Sequence, residues 1–420
     1  MNDANQEVCI AFVAPTDSAR YHAGVFAPLL PSPSPRESPR APREDRAAAL
    51  LIVLLLGAGL ARGLLNPWRP HVHGNDAVRV WLAPHPTDDA AGLEARVVAL
   101  IDAATSSIHA ALYELGMPSV AMALRRARAR GLDVRLFLEG DNVGTDAERS
   151  CLRLLDGVVP MRVDHRPTLM HDKFLIIDQR IVWTGSVNLT WTGCHLHHNE
   201  AIEICDPRVA ERFDDQFARL FDARPDAEAL PPVEVGETRI ACAFSRGAAR
   251  LQPWLQATAS AQRRIRVAAF SLTHPALVDA LAQRARSGVV VDVVLDARLA
   301  HGRPGRRAAR ALAAAGCHVS LGGPRLEGAL LRHFGLPRHQ DLKIHHKLLI
   351  ADDGTVVSGS ANLSTNGFER NDENVVTLWV NEALSSSFTQ AFDAAAADST
   401  PMEVISEDVR TAAENPPTDD

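Results

Sequence analysis

From about Val78 the apolar and polar positions run through one pattern twice. Val78-Arg79-Val80-Trp81-Leu82 and Arg239-Ile240-Ala241-Cys242-Ala243 read as opening strands. Each precedes a stretch with apolar residues at helical spacing: Leu93, Val97, Leu100, Ile101 and Ala104 in the first, Leu251, Trp254, Leu255 and Ala259 in the second. The apolar runs from Ile108 to Leu115 and from Ile265 to Leu272 follow, with Tyr113 matching Phe270. Leu124 and Leu281, then Gly131 and Gly288, keep the same 157-residue offset without a gap. Each glycine is placed to end a helix ahead of a buried strand, Val134 to Leu138 or Val291 to Leu295. Later, Glu200 and Glu373 each open an apolar strand, and helices from Asp206 to Phe221 and from Glu382 to Ala396 close the two copies. The pattern predicts an α/β protein of two homologous halves, 78–222 and 238–397, each a mixed sheet flanked by helices. A linker at 223–237, containing Pro225, Pro231 and Pro232, joins them.

The second half of each copy carries the densest coincidence. Met170-His171-Asp172-Lys173-Phe174-Leu175-Ile176-Ile177-Asp178 recurs 174 positions later as Ile344-His345-His346-Lys347-Leu348-Leu349-Ile350-Ala351-Asp352. Both read H-x-K-x4-D, and Gly185-Ser186-Val187-Asn188 and Gly359-Ser360-Ala361-Asn362 follow at matching positions. Residues two apart in a strand share a face, so His171 and Lys173 point the same way, as do His345 and Lys347. Asp178 and Asp352 lie roughly 16 Å further along extended chain and belong to strand ends or turns. Asp352-Asp353-Gly354 is a hairpin signal, and the return strand brings Ser186 and Asn188, or Ser360 and Asn362, back beside the histidine.

Composition sharpens this picture at one point. The chain holds three lysines, Lys173, Lys343 and Lys347, against 41 arginines, and two of the three stand in the motifs. A compact ammonium kept in a chain that otherwise uses arginine marks a site that needs a point charge. The formal net charge of -7 argues mildly against a general nucleic-acid coat but not against a local basic patch. Six cysteines show no C-x-x-C pair.

The N-terminal stretch stands apart. Residues 1–46 include a Pro/Ser/Arg-rich run that predicts a disordered arm. Within 47–65, Ala47 to Ala61 is uncharged and mostly aliphatic, with the length of a signal-peptide core behind four arginines. It predicts a signal peptide or signal anchor, hence export, with a buried helix as the alternative. The tail 398–420 is acidic, Pro-containing and predicted to be disordered.

Transfer of a phosphodiester through an enzyme-bound intermediate needs a nucleophile, a proton donor for the leaving oxygen, and positive charge on the non-bridging oxygens. Two imidazoles can divide the first two tasks, one attacking phosphorus and the other protonating the leaving alkoxide. Lys173 and Lys347, with Asn188 and Asn362, would hold the phosphoryl oxygens, supported by Ser186 and Ser360. Glu200 and Glu373 are suited to orienting each imidazole through its other ring nitrogen. Cationic side chains can do this work, so no cofactor and no metal are implied.

These residues resemble the phospholipase D superfamily, whose signature is H-x-K-x4-D followed by G-S-x-N. The similarity runs from about Val78 to Ala396, with two full copies in one chain. It implies a two-lobed α/β fold with both motifs meeting at the lobe interface, His171 as nucleophile, His345 as acid, and structural roles for Asp178 and Asp352. One departure is a loop before Glu200 that is one residue longer than the loop before Glu373.

Three activities fit this chemistry. Hydrolysis of phospholipids to phosphatidic acid and a free headgroup is the leading one. Cleavage of DNA or RNA is the second, and phosphatidyl transfer to an alcohol, as in cardiolipin synthases, is the third. A binding module without catalysis is disfavoured by the intact motifs. Cys194-His195-Leu196-His197-His198, near Cys205, is dense in soft ligands but matches no standard four-ligand spacing, and it reads as a polar active-site loop. His346 faces away from His345 by strand parity and reads as structural. The segment 301–347 carries Arg303, Arg306, Arg307 and Arg310, and then Leu330, Leu331, Phe334 and Leu336. It reads either as a solvated helix face or as a lip for an anionic membrane or polyanion.

Overall fold

The computed structural model describes residues 77–84, 92–224, 230–323 and 342–402. The arm, the apolar stretch 47–65, nearly all of the tail, and Leu330, Leu331, Phe334 and Leu336 of the expected lip lie outside the described residues. Among the described residues no helix is long and apolar enough to cross a membrane.

The first half contributes β1 (Val78–Ala83), β2 (Ser107–Leu112), β3 (Asp133–Glu139), β4 (Met161–Asp164), β5 (Lys173–Ile177), β6 (Ile181–Gly185) and β7 (Asn199–Cys205). They form a sheet in the order β1-β7-β6-β5-β2-β3-β4, in which β2, β3 and β4 run parallel and the remaining neighbours antiparallel. The second half adds β8 (Val233–Val235), β9 (Thr238–Ala243), β10 (Arg264–Ala269), β11 (Val290–Asp296), β12 (His318–Gly322), β13 (Lys347–Ala351), β14 (Thr355–Gly359), β15 (Val375–Trp379) and β16 (Ser399–Pro401). Its order, β16-β12-β11-β10-β13-β14-β15-β9-β8, repeats the first sheet read from the other end, with one extra strand on each edge. The duplicated α/β architecture is therefore as the periodicity predicts. The two edge strands are the departures: part of the expected linker pairs with β9, and residues assigned to the tail pair with β12. Val233 and Val235 alternate with Glu234, the pattern of a half-buried strand laid on an open edge.

The two motif hairpins sit at the centre of these sheets. Phe174 to Ile177 and Leu348 to Ala351 are buried throughout, which explains why they are continuous apolar runs. The turn after each strand uses two residues in the left-handed region, Asp178 and Gln179 at φ 54° and 50°, and Asp352 and Asp353 at 49° and 59°. Asp178 accepts hydrogen bonds from the backbone N–H groups of Thr105, Ser106 and Ser107. Asp352 does the same for Gln262, Arg263 and Arg264. Both aspartates therefore tie the hairpin to the start of the neighbouring strand, far from their motif histidines in function.

Helices Pro207–Asp222 and Glu382–Ala397 carry the shared core. Phe213 and Phe217 from one, and Phe388 and Phe392 from the other, bury with Phe174, Ile176, Leu348 and Ile350 in one apolar cluster drawn from both halves. Two further clusters fill the outer side of each sheet. Two short parallel bridges complete the junction: Met170 pairs with Asp372, and His198 pairs with Ile344. Each bridge sets one H-x-K start beside the glutamate-containing segment of the other half.

Candidate active site

The bridges place the site. The backbone N–H of His171 donates to the Asp372 carbonyl (2.8 Å), and that of His345 to the His198 carbonyl (2.9 Å), so each imidazole is held against the opposite half. His171 Nδ1 then meets Glu373 Oε2 at 2.8 Å, and His345 Nδ1 meets Asn199 Oδ1 at 2.8 Å. With Nδ1 engaged, Nε2 of each ring is left for chemistry.

Glu373 behaves as the sequence predicts, but Glu200 does not. The Glu200 carboxylate bonds His346 Nδ1, accepts from Ser358 Oγ at 2.6 Å and Ser186 Oγ at 3.0 Å, and makes no contact with His345. The loops after Asn188 and Asn362 prove equal in length, so Asn199, and not Glu200, stands at the strand position that Glu373 occupies. The next pair is exchanged as well. Asp172, the counterpart of His346, accepts from Asn374, the counterpart of Glu200, at 2.9 Å. The first half thus presents His-Asp to Glu-Asn, and the second presents His-His to Asn-Glu. His346 is buried and points away from His345 into this pairing, as its parity predicts.

The serines stand behind the imidazoles. Ser360 Oγ donates to Glu373 Oε2 at 2.6 Å, and Ser186 Oγ lies within hydrogen-bond distance of both Asn199 Oδ1 (2.9 Å) and Glu200 Oε2. Both are fully buried, and their hydroxyls hold the groups behind the imidazoles. Tight backbone forces the glycine before each serine. Gly185 and Gly359 have φ of 137° and 143°, and a Cβ there would sit 2.3 Å from the carbonyl oxygen of Glu200 or Asn374.

Lys173 and Lys347 bond back to the carbonyls of His171 (2.7 Å) and His345 (2.8 Å). Lys347 Nζ also lies 3.3 Å from His345 Nε2. Burial pulls Lys173 down to about 8, partly offset by Glu373 and Glu114. Burial and the neighbouring Lys173 push Lys347 well down. Burial is also the main cause that holds His171 and His345 far below the ordinary imidazole value, and the lysine charges of both motifs add to it. An anion bound among these groups would relieve all four. Burial raises the Glu373 carboxyl to about 7 against the pull of Lys173 and Ser360, so it titrates near neutrality. Glu200 goes the other way: His346, Ser358 and Ser186 outweigh its burial and hold it below the ordinary range.

Asn188 Nδ2 donates to Glu114 Oε2 at 2.9 Å, while the side-chain oxygens of Asn188 and Asn362 are buried without a partner. Glu114, Tyr113, Phe270 and His197 complete the walls. The Tyr113 ring packs on His171 at 4.5 Å with Lys173 over it, and Phe270 packs on His345 at 4.9 Å with Lys347 over it. The matching positions of Tyr113 and Phe270 in the two repeats were the available signal for this pair. Nothing local marked Asn199 or Glu114. The loop from Cys194 divides its ligands among different neighbours: His195 to Glu94, His198 to Asp398, Cys194 beside Met117, and His197 toward His345. Among the described residues no group of three or more His, Cys, Asp or Glu is arranged to hold a metal ion.

Comparison with known proteins agrees with this geometry. The family described as "Cardiolipin synthase, PLD-like domain" matches residues 97–221 and 255–395, one segment in each half. A mitochondrial cardiolipin hydrolase of Homo sapiens is 26% identical over 160 residues, covering 38% of this chain and 63% of that protein. A phospholipase D of Rickettsia prowazekii (strain Madrid E) is 29% identical over 123 residues, covering 29% of this chain and 60% of that protein. The chain therefore spans less than two thirds of the length of these relatives. The crystal structure of a phosphatidylserine synthase from Haemophilus influenzae Rd KW20 superposes with a TM-score of 0.56 over 82% of this chain and 94% of that one, at 10% identity, a likeness of fold. Two family segments and two intact H-x-K motifs, brought together in one lysine-bearing cluster, make the chain a member of the phospholipase D superfamily.

Proposed function

We propose that the protein hydrolyses phospholipids at the headgroup phosphodiester, releasing phosphatidic acid and a free alcohol, through a phosphohistidine on His171. The observation that carries the mechanism is the unequal backing of the two imidazoles. Forming a bond from His171 Nε2 to phosphorus builds positive charge on that ring, and the Glu373 carboxylate behind Nδ1 stabilises it. His345 has only the neutral Asn199 amide behind it, so its imidazolium is the stronger acid and the better proton donor.

The steps balance with these groups alone. The His171 Nε2 lone pair forms the N–P bond as the P–O bond to the headgroup breaks, and the Nε2 proton of His345 passes to the departing oxygen. Water then attacks phosphorus, giving its proton to His345 Nε2 as the N–P bond breaks and His171 is restored. Lys173 and Lys347 hold the non-bridging oxygens through both steps. An alcohol in place of water would give phosphatidyl transfer by the same route.

The lipid assignment draws on the relatives, which are named as a phospholipase D and cardiolipin hydrolases. The test offers the full chain phosphatidylcholine and phosphatidylglycerol vesicles and, in parallel, single- and double-stranded DNA and RNA, with His171→Ala as the blank. Phosphatidic acid from lipid with intact nucleic acid is the expected result. Cleaved nucleic acid with untouched lipid would move the protein to the nuclease class.

A further inference from the structure

All three lysines of the chain converge on this pocket, yet the mechanism uses two. The third, Lys343, lies two residues before His345, and the matching position of the first half is Leu169. Its backbone is fixed across the junction, because its carbonyl accepts from the His198 N–H at 2.9 Å. Its ammonium lies 5.9 Å from the centre of the Phe270 ring, the same ring that packs on His345 and underlies Lys347. Its charge acts on His345 and His197, which agrees with a place on the His345 side of the site. It is partly exposed, and among the described residues its ammonium makes no hydrogen bond or ion pair. Among the described residues this partly exposed ammonium meets the Phe270 ring and no carboxylate at ion-pair distance, which leaves it able to take an anion.

A carboxylate also lies within reach of the Lys343 charge. Glu114, at the position that Ser271 fills in the second half, accepts from Asn188 beside Lys173. Asp296 also feels the Lys343 charge, but its Oδ1 caps the Leu299 N–H at 3.2 Å. In an in-line displacement the group leaving phosphorus departs opposite the attacking nitrogen, toward the acid. With His171 attacking and His345 donating, the leaving alcohol passes Lys343.

We propose that Lys343 selects the leaving alcohol, favouring phospholipids whose headgroup itself bears a second phosphodiester over those with a cationic choline. The proposal rests on the lipid reading and on the roles given to His171 and His345. A second phosphodiester meets the Lys343 ammonium, whereas a quaternary ammonium meets like charge at the same place.

The test compares diphosphatidylglycerol, whose leaving alcohol carries a phosphodiester, with phosphatidylcholine, each dilute in the same neutral-detergent micelles so that surface charge stays constant. The readout is the ratio of their kcat/KM values. The wild type favours diphosphatidylglycerol. Lys343→Leu, which copies the first half, lowers the ratio about five- to tenfold, and Lys343→Glu lowers it further, toward choline. The unfolding midpoint of each variant, read beside the wild type, reports folding, and the ratio does not depend on the fraction of active protein. A ratio that is the same in all three proteins overturns the proposal, as does a wild-type preference for phosphatidylcholine. Bis(4-nitrophenyl) phosphate separates the two readings. If it is cleaved and no lipid is, the lipid reading fails. The selection by Lys343 then stands or falls on the same ratio for dinucleotides whose leaving nucleoside bears or lacks a second phosphate.

Discussion

The two halves share a strand order, a hairpin and a motif, and they differ in what stands behind the imidazole. His171 is backed by the Glu373 carboxylate and His345 by the Asn199 amide, while the neighbouring pair, Asp172 with Asn374 and His346 with Glu200, carries the exchanged charges. Each backing pair, Glu373-Asn374 and Asn199-Glu200, therefore holds one buried carboxylate but places it differently, on the reacting imidazole in one and on a structural imidazole in the other. Duplication supplies two equal histidines, and a displacement needs two unequal ones. Moving the carboxylate by one position is enough to make them so, without changing the fold around them.

The comparison breaks most severely at the histidines. His171→Ala is expected to lower kcat by at least about 10^3-fold and His345→Ala by about 10^2 to 10^4-fold. Rapid mixing with a 4-nitrophenyl phosphodiester distinguishes them: the His345 variant should still trap phosphate on His171, and the His171 variant should trap none. A phosphorylated His345 would reverse the assignment of roles.

The backing groups come next. Glu373→Gln should cost about 10^2-fold or more in kcat, whereas Asn199→Ala should cost less, because a neutral amide gives the imidazolium little. The pH profile sharpens this. Glu373 must be ionised to keep the proton on His171 Nδ1, so activity is lost as pH falls through about 7. Lys173 must be protonated, so activity is lost as pH rises through about 8. The Glu373→Gln enzyme should lose the acid limb and keep the basic one. An unchanged acid limb would show that another group sets it.

The exchanged pair allows a swap. Glu200→Asn leaves His346 buried opposite an amide and should cost roughly 3 kcal/mol of stability, measured by denaturant unfolding. Adding His346→Asp reproduces the Asp172–Asn374 pair of the first half and should recover most of that loss. A double variant no better than the single one would mean that the two environments are not equivalent. The smallest effect is expected at the hairpin aspartates. Asp178→Asn should cost about 1–3 kcal/mol with kcat nearly unchanged. Burial works to raise the Asp178 carboxyl, but the N–H groups of Ser106, Thr105 and Ser107 outweigh it and hold the group below the ordinary range. Its contribution to stability is therefore present above the ordinary aspartate value and fades as pH falls through its lowered one. The difference between wild type and variant should shrink on the acid side. An equally stable but inactive variant would give Asp178 a part in the chemistry.

Much of this was readable from residue order because it is local. Strand period places His171 beside Lys173, a repeat of 174 positions reveals the duplication, and Asp352-Asp353-Gly354 announces the hairpin. Lysine scarcity marked the pocket too, and it marked Lys343 as surely as the other two, although only the packing on Phe270 shows where that third charge acts. What residue order did not settle is which group meets which imidazole. Glu373 lies 202 positions from His171, and Asn199 lies 146 from His345, so no spacing within a strand or turn encodes either contact. Glu200 lies one position past the residue that faces the imidazole, and Asn199 takes that place because adjacent strand residues face opposite sides. The serines, read as supports of the phosphate site, meet partners that only the packing of both sheets supplies. Chemistry that depends on strand period and turn type is written along the chain, while the inequality of the two histidines exists only where the halves close on each other.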